Sequence, residues 1–213
     1  MARLRLTEIF HSLQGESTSV GCPTVFVRLT GCPLRCHYCD TAYAFKGGEW
    51  WEIEAILDHV ERYETLHVTV TGGEPLAQPD CQQLLSALCD AGYIVSLETS
   101  GALDVAQVDA RVIKVVDLKT PSSGEMERNL YENLETLNPD DQVKFVIGDE
   151  ADYAWSLDQL KIWRLPERCT VLFSPVADQL PAATLADWVL RDRLDVRFQI
   201  QLHKALWGNT PGR

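Results

Sequence analysis

The sequence predicts an α/β protein built as an incomplete, open parallel βα barrel. Strand-like and helix-like segments alternate about six times along the chain, the pattern of repeated βαβ units. At 213 residues the chain is short for a closed eight-unit barrel, which takes ~250. Polar and glycine-rich motifs follow the strands one after another, as they do where loops at the carboxyl ends of barrel strands surround one site. No composition shift, Ser/Gly linker or low-complexity tract divides residues 1–213, so one domain is expected.

Arg3–Ile9 and Thr24–Leu29 are rich in apolar and β-branched residues and read as strands. Ile53, Ile56, Leu57 and Val60 recur at helical spacing, and so do Cys81, Leu84, Leu85 and Leu88, with Gly92 placed to stop that second helix. His67–Thr71 is a short strand between them. Tyr93–Leu97 and Val112–Leu118 are further strands. Leu130, Leu134 and Leu137 mark a helix before a strand at Gln142–Ile147. Glu150–Trp163 is helical, Thr170–Phe173 extended, Leu185–Arg191 helical and Val196–Leu202 extended. The motifs that end these strands are Gly31–Cys39, Thr71–Pro75, Glu98–Gly101, Asp117–Gly124, Ser174–Gln179 and His203-Lys204.

Composition excludes several classes. With 46% hydrophobic and 23% charged residues the chain is an ordinary globular protein. Nineteen basic against 31 acidic residues leave a formal charge of −12, and such a surface repels polyphosphate, so no direct nucleic-acid binding is expected. Met1–Gln14 lacks the apolar core of a secretory signal, and no stretch approaches the ~18 apolar residues of a membrane helix. A cytoplasmic location and no membrane partner follow as expectations. In a reducing compartment, seven cysteines point to metal binding or catalysis before disulfides.

Three of the seven crowd together. Cys32-Pro-Leu-Arg-Cys36-His-Tyr-Cys39 has C-x3-C-x2-C spacing, and three thiolates on one short loop can converge on a metal centre. A zinc knuckle is one reading, but zinc wants a fourth ligand, and Cys22, His37 or His67 would have to be recruited singly. A four-iron cubane is the other: soft thiolates suit it, and three of them leave one iron open. Cys81 and Cys89 lie on or beside the apolar face of a helix and are core candidates.

The cysteine loop, joined to Thr71-Gly72-Gly73-Glu74-Pro75, resembles the radical S-adenosylmethionine (SAM) superfamily. The resemblance implies a barrel of that type, a [4Fe-4S] cluster on Cys32, Cys36 and Cys39, and SAM on the open iron. A narrower resemblance covers nearly the whole chain. Ile9-Phe10, Ser12-Leu13-Gln14-Gly15-Glu16, Arg28, Cys39-Asp40-Thr41, Glu98-Thr99-Ser100-Gly101, Lys119-Thr120-Pro121-Ser122-Ser123 and Gln201-Leu202-His203-Lys204 occur in the order found in the 7-carboxy-7-deazaguanine synthase family. Such enzymes are lyases of queuosine and deazapurine biosynthesis, on a tRNA-modification pathway. They convert 6-carboxy-5,6,7,8-tetrahydropterin into 7-carboxy-7-deazaguanine and ammonia by hydrogen abstraction and ring contraction, regenerating SAM.

Carried over residue by residue, the resemblance places Tyr38, Cys39, Asp40, Gly73, Glu74, Gly101, Asp117, Leu118, Lys119, Ser174, Pro175, Val176 and Ala177 against SAM. Leu13, Gln14, Gly15, Glu16, Arg28, Thr99 and His203 take the substrate. Chemically, Gln14 and Glu16 can read the donor–acceptor edge of a pterin, and Arg28 can fork onto its carboxylate. Glu74 is a candidate acceptor for the methionine amine. Thr41 is the implied Mg2+ ligand; the alternative is that Asp40-Thr41 caps a helix. The resemblance also implies an external electron donor of flavodoxin or ferredoxin type and a homodimer. No general base is visible in the sequence. A glycyl-radical activase would share the cysteine spacing but not the Gln14, Glu16 and Arg28 set. Arg213 ends a Gly/Pro-rich tail and is given no role.

Overall fold

The computed structural model describes residues 2–208, 210 and 212; Arg213 lies outside them. Nine strands form one sheet: β1 (Arg3–Leu13), β2 (Pro23–Leu29), β3 (Glu49–Glu52), β4 (His67–Gly72), β5 (Ile94–Thr99), β6 (Ile113–Asp117), β7 (Gln142–Ile147), β8 (Thr170–Pro175) and β9 (Arg197–Phe198). Their order is β3-β1-β2-β4-β5-β6-β7-β8-β9. From β2 to β9 every neighbouring pair is parallel, while β1 runs antiparallel to both β2 and β3. The sheet therefore ends on β3 and β9 without closing, which is the open barrel that the alternation predicts.

Helices α1 (Ile53–Glu61), α2 (Cys81–Asp90), α3 (Glu150–Trp163) and α4 (Ala182–Arg191) cover one face of the sheet, and α5 (Leu202–Trp207) follows β9. The apolar stripe of α1 buries Ile53, Ile56 and Val60, and that of α2 buries Cys81, Leu84, Leu85 and Leu88. Gly92, at φ +90°, turns the chain just past α2 as its position predicts. Side chains alternate across each strand. Val68 and Val70, Val95 and Leu97, Val143, Phe145 and Ile147, and Val171 and Phe173 face the helices in two apolar cores. Thr71, Glu98, Lys144 and Ser174, of opposite parity, face a cavity. Each fully buried Leu, Ile or Val contributes ~1.5–3 kcal/mol, so the helix-covered face carries the stability and leaves the inner face free to be polar.

A bulge sets the first strand. Leu6 pairs with Leu29 but Glu8 with Arg28, so Thr7 is an extra residue in the ladder. Before it Leu4 and Leu6 point into the helix-side core; after it Phe10 lines the cavity and Glu8 meets Arg28.

Three expectations need correction. The helix over Leu130–Leu137 is absent: the chain makes short 3-10 turns at Met126–Arg128 and Tyr131–Glu135. Asn129 bonds both backbone groups of Lys119, and Asn133 bonds Val105, Gly101 and Leu103, so their amides bind neighbouring backbone instead of leaving a helix to form. The extended run Val196–Leu202 pairs only at Arg197–Phe198, because the Leu202 amide donates to the Gly15 carbonyl and starts α5 across the cavity. The first strand runs past Ile9 to Leu13. The short β3 was not foreseen.

Candidate active site

The inner face of the sheet and the loops at the carboxyl ends of its parallel strands line a cavity of about 650 Å3, which the turn after the antiparallel β1 enters from the opposite end. Cys32, Cys36 and Cys39, all with free, partly exposed thiols, stand on its wall. The loop is held from two sides: the Gly31 amide donates to Ala44 and the His37 amide to Ser123. Gly73 makes room for it, since a Cβ there would lie 2.3 Å from the Gly31 oxygen and 2.6 Å from the Cys32 Cβ. Burial pushes the Cys36 thiol up to about 11, against the pull of Lys119.

The donor set fits a cluster better than zinc. Cys81 and Cys169 are buried in the two cores, and His37 turns its Nδ1 to the Ser122 carbonyl, 3.1 Å away. Neither Cys22 nor His67 lines the cavity. Among the described residues no three His, Cys, Asp or Glu, the three loop cysteines included, are grouped so as to hold a single metal ion. Three thiols on one cavity wall suit a cubane, which takes one cysteine on each of three irons and leaves the fourth open, rather than a single ion that all three would have to share.

The turn after β1 forms a second wall. Gln14 is nearly buried; its Nε2 donates to Thr69 and its Oε1 accepts from the Glu16 amide. Glu16 receives Lys144 at 2.7 Å and Gln201 at 2.8 Å. Burial works to raise the Glu16 pKa, but the Lys144 ammonium wins and holds it below the usual carboxylate range. Gly15 is packed against His203, whose Nδ1 would be 2.2 Å from a Cβ at that position. Arg28 pairs through Nε with Glu8 at 2.7 Å, and its guanidinium lies over the rings of Phe10 and Tyr43. Tyr43 donates to the same Glu8 oxygen at 2.8 Å.

Asp40, Thr41 and Lys204 meet on the cavity wall beyond Cys39. Lys204 reaches Asp40 at 2.8 Å and Gln201 reaches it at 3.2 Å; despite burial, these partners hold the Asp40 carboxyl well below its ordinary range. Thr41 stands at the start of the short 3-10 helix Ala42–Phe45 and its carbonyl accepts from Ala44, as the capping alternative has it, but its hydroxyl makes no capping bond and donates to Asp40 instead. Lys144 sits at the centre of the floor, 3.5 Å from Asp117 and 3.6 Å from Glu98, and Lys119 pairs with Asp117 at 3.0 Å.

Nearly every residue expected at the site meets on this cavity: Leu13, Gln14, Gly15, Glu16, Arg28, Tyr38, Asp40, Thr41, Gly73, Thr99, Asp117, Lys119, Ser174, Pro175, Val176, Ala177 and His203. Three do not. Glu74 is fully buried, and its carboxylate accepts from the Leu76 amide, the Thr99 hydroxyl and both the amide and hydroxyl of Ser100. A carboxylate has about four acceptor positions, so none is left for a methionine amine. Glu74 braces the loop that carries Thr99. Leu118 packs in the second apolar core, and Gly101 lies behind the wall against Val116. Of the Lys119–Ser123 motif only Lys119 lines the cavity; Thr120 and Ser122 bind Asp152 of α3. Glu8, Tyr43 and Lys144 were missed, and Glu98 and Gln201 stood in the quoted motifs without a role. Parity along the strands would have found Glu98 and Lys144; nothing local in the sequence pairs Glu8 with Arg28.

An open βα barrel with three cysteines at its mouth defines a radical SAM protein, and the radical SAM superfamily pattern matches residues 26–164, so the chain belongs to that superfamily. The chain is 46% identical to the 7-carboxy-7-deazaguanine synthase of Chlorobaculum tepidum, over 97% of this chain and 95% of that one. It is 34% identical to the synthase of Thermoplasma acidophilum, over 97% and 99%. Within the superfamily it therefore belongs to the 7-carboxy-7-deazaguanine synthases. The crystal structure of QueE from Escherichia coli has the same fold, with a TM-score of 0.79 at 24% identity over 94% of this chain and 95% of that one.

Proposed function

We infer that the chain converts 6-carboxy-5,6,7,8-tetrahydropterin into 7-carboxy-7-deazaguanine and ammonia as a radical SAM lyase. The observation that carries this reading is that the cysteine loop and the Gln14, Glu16, Arg28, Thr99 and His203 set line one cavity. Cys32, Cys36 and Cys39 would hold the [4Fe-4S] cluster, with Tyr38, Asp40, Gly73, Asp117, Lys119 and Ser174–Ala177 beside SAM. Bound there, cluster and SAM supply removal of a hydrogen atom from the substrate and its return.

The chain's own part is placement. Arg28, with its Nε edge taken by Glu8, offers its remaining N–H groups to the 6-carboxylate. Glu16 stays ionised and accepts from the guanine-like edge of the pterin, and the carbonyl of Gln14 adds an acceptor. Gln201 ties Glu16 to Asp40, and His203 and Lys204 line the cavity beside them. Thr41 retains oxygen lone pairs, and we assign it to Mg2+ with substrate oxygens completing the shell. An external flavodoxin- or ferredoxin-type donor, a homodimer and a cytoplasmic setting complete the reading. No helix among the described residues is long and apolar enough to cross a membrane.

The test is anaerobic reconstitution with iron and sulfide, then incubation with SAM, a reductant and the pterin. Mass spectrometry should find 7-carboxy-7-deazaguanine and ammonia release. Zinc without acid-labile sulfide in the purified protein, or no product from the reconstituted protein, would refute the reading.

A further inference from the structure

Aromatising the product requires a carbon-bound proton to leave, and most ionisable groups of the cavity are unsuited to take it. Lys144 and Lys119 stay ammonium, since their carboxylate neighbours outweigh burial. Glu16 and Asp117 are ionised but spent on those lysines, at 2.7 and 3.0 Å, and are held below the ordinary carboxylate range. Asp40 is occupied by Lys204, Gln201 and Thr41. Outside the lining, Glu8 is committed to Arg28 and Tyr43, and the fully buried Glu74 to Thr99 and Ser100.

Glu98 remains. It stands on the inner face of β5, lines the cavity, and leaves 18% of its side chain exposed. Three charged groups face it: Lys144 from β7, Asp117 from the end of β6 and Glu16 from the turn after β1. Its contact with Lys144 is the longest of the three carboxylate contacts, 3.6 Å against 2.7 Å for Glu16 and 3.5 Å for Asp117. It also immediately precedes Thr99, one of the substrate set.

We propose that Glu98 is the proton acceptor and donor of the aromatising step. The proposal rests on the functional reading above. The ring carbon–hydrogen bond breaks, its electron pair becomes the ring double bond, and the proton passes to a Glu98 oxygen. The carbon–nitrogen bond breaks with its pair on nitrogen, which takes the proton back and leaves as ammonia. The step needs no oxidant or reductant, and Glu98 ends as it began, with Lys144 balancing the carboxylate between transfers. Burial, helped by Glu16 and Asp117 and opposed by Lys144, pushes the Glu98 carboxyl up to about 7, where a group both takes and returns a proton efficiently at neutral pH. His203 is the rival, a neutral imidazole at the mouth whose pKa burial lowers.

The experiment compares the reconstituted parent with Glu98→Gln, Glu98→Asp and His203→Gln between about pH 5.5 and 8.5. It measures product, uncoupled deoxyadenosine and, without turnover, binding of fluorescent 6-carboxypterin. The parent rate should rise with pH through a midpoint near 7. Glu98→Gln should abolish that limb and lower product formation about 10²-fold or more, with pterin binding within about threefold and deoxyadenosine formation kept. Glu98→Asp should restore part of the rate. A Glu98→Gln protein with the parent's rate and limb overturns the proposal. Equal loss of binding, deoxyadenosine and product does so too, because it makes the residue structural, and so does a limb that disappears in His203→Gln instead. A parent that binds SAM and cleaves it but makes no 7-carboxy-7-deazaguanine overturns the functional reading, and this proposal with it.

Discussion

Arg28 enters the cavity already engaged along one edge. Glu8 takes its Nε, Phe10 and Tyr43 flank its plane, and the orientation of the fork is set before any substrate arrives. Arg28→Ala should therefore lose a charge-assisted contact of roughly 1.5–3 kcal/mol, a ten- to hundredfold rise in KM. Arg28→Lys should recover only part of it, because an ammonium lacks the planar fork. An unchanged KM in Arg28→Ala would place the carboxylate elsewhere, with Lys204 next in reach. The cysteines divide as cleanly. Cys36→Ala should lose iron and turnover, whereas Cys89→Ala, on a helix of the first core, should keep both; iron analysis after reconstitution decides. The substrate set was legible because its residues stand in recognisable order. Glu74 misled because a sequence shows a carboxylate but not the four donors that already saturate it.

At the level of elements, α5 depends on a glycine in another part of the chain. Gly15 is needed for room, not for an unusual backbone angle, since His203 occupies the space a Cβ would fill. Gly15→Ala should push α5 off the turn, raise hydrogen exchange over residues 202–207 and raise KM, at an overpacking cost of about 1–3 kcal/mol. Pairing it with His203→Ala should restore protection of α5, a non-additive result that independent effects would not give. Repetition made the strands and helices readable: Glu150–Trp163 forms α3 over the very span its pattern predicts. The stretch around Leu130 was not readable, because its leucines keep helical spacing while Asn129 and Asn133 bond backbone far along the chain. A two-residue edge strand such as β9 carries too few alternations to set its own limits.

For the whole molecule, the polar inner face couples stability to pH. In the folded protein Glu98 holds a proton up to about 7, against an ordinary 4.5, so between those values the folded state binds a proton the unfolded chain releases. Stability from this group is thus present below about pH 4.5 and falls as pH rises through 7. Glu98→Gln removes the penalty. Its gain over the parent in urea should grow from near zero at about pH 4.5 to about 1–3 kcal/mol at pH 8. Equal differences at both pH values would mean that Glu98 titrates normally. The bulge at Thr7 has a wider consequence. It gives β1 a reading frame, apolar on one side of Thr7 and chemical on the other. Most loops of this fold can absorb a residue gained or lost, and losing Thr7 itself would only straighten the ladder, but deleting Ile9 would carry Phe10 to the helix side without altering it. The site is thus guarded by a count as well as by identities, and variants made by insertion or deletion within Glu8–Ser12 should be tolerated far less than substitutions there.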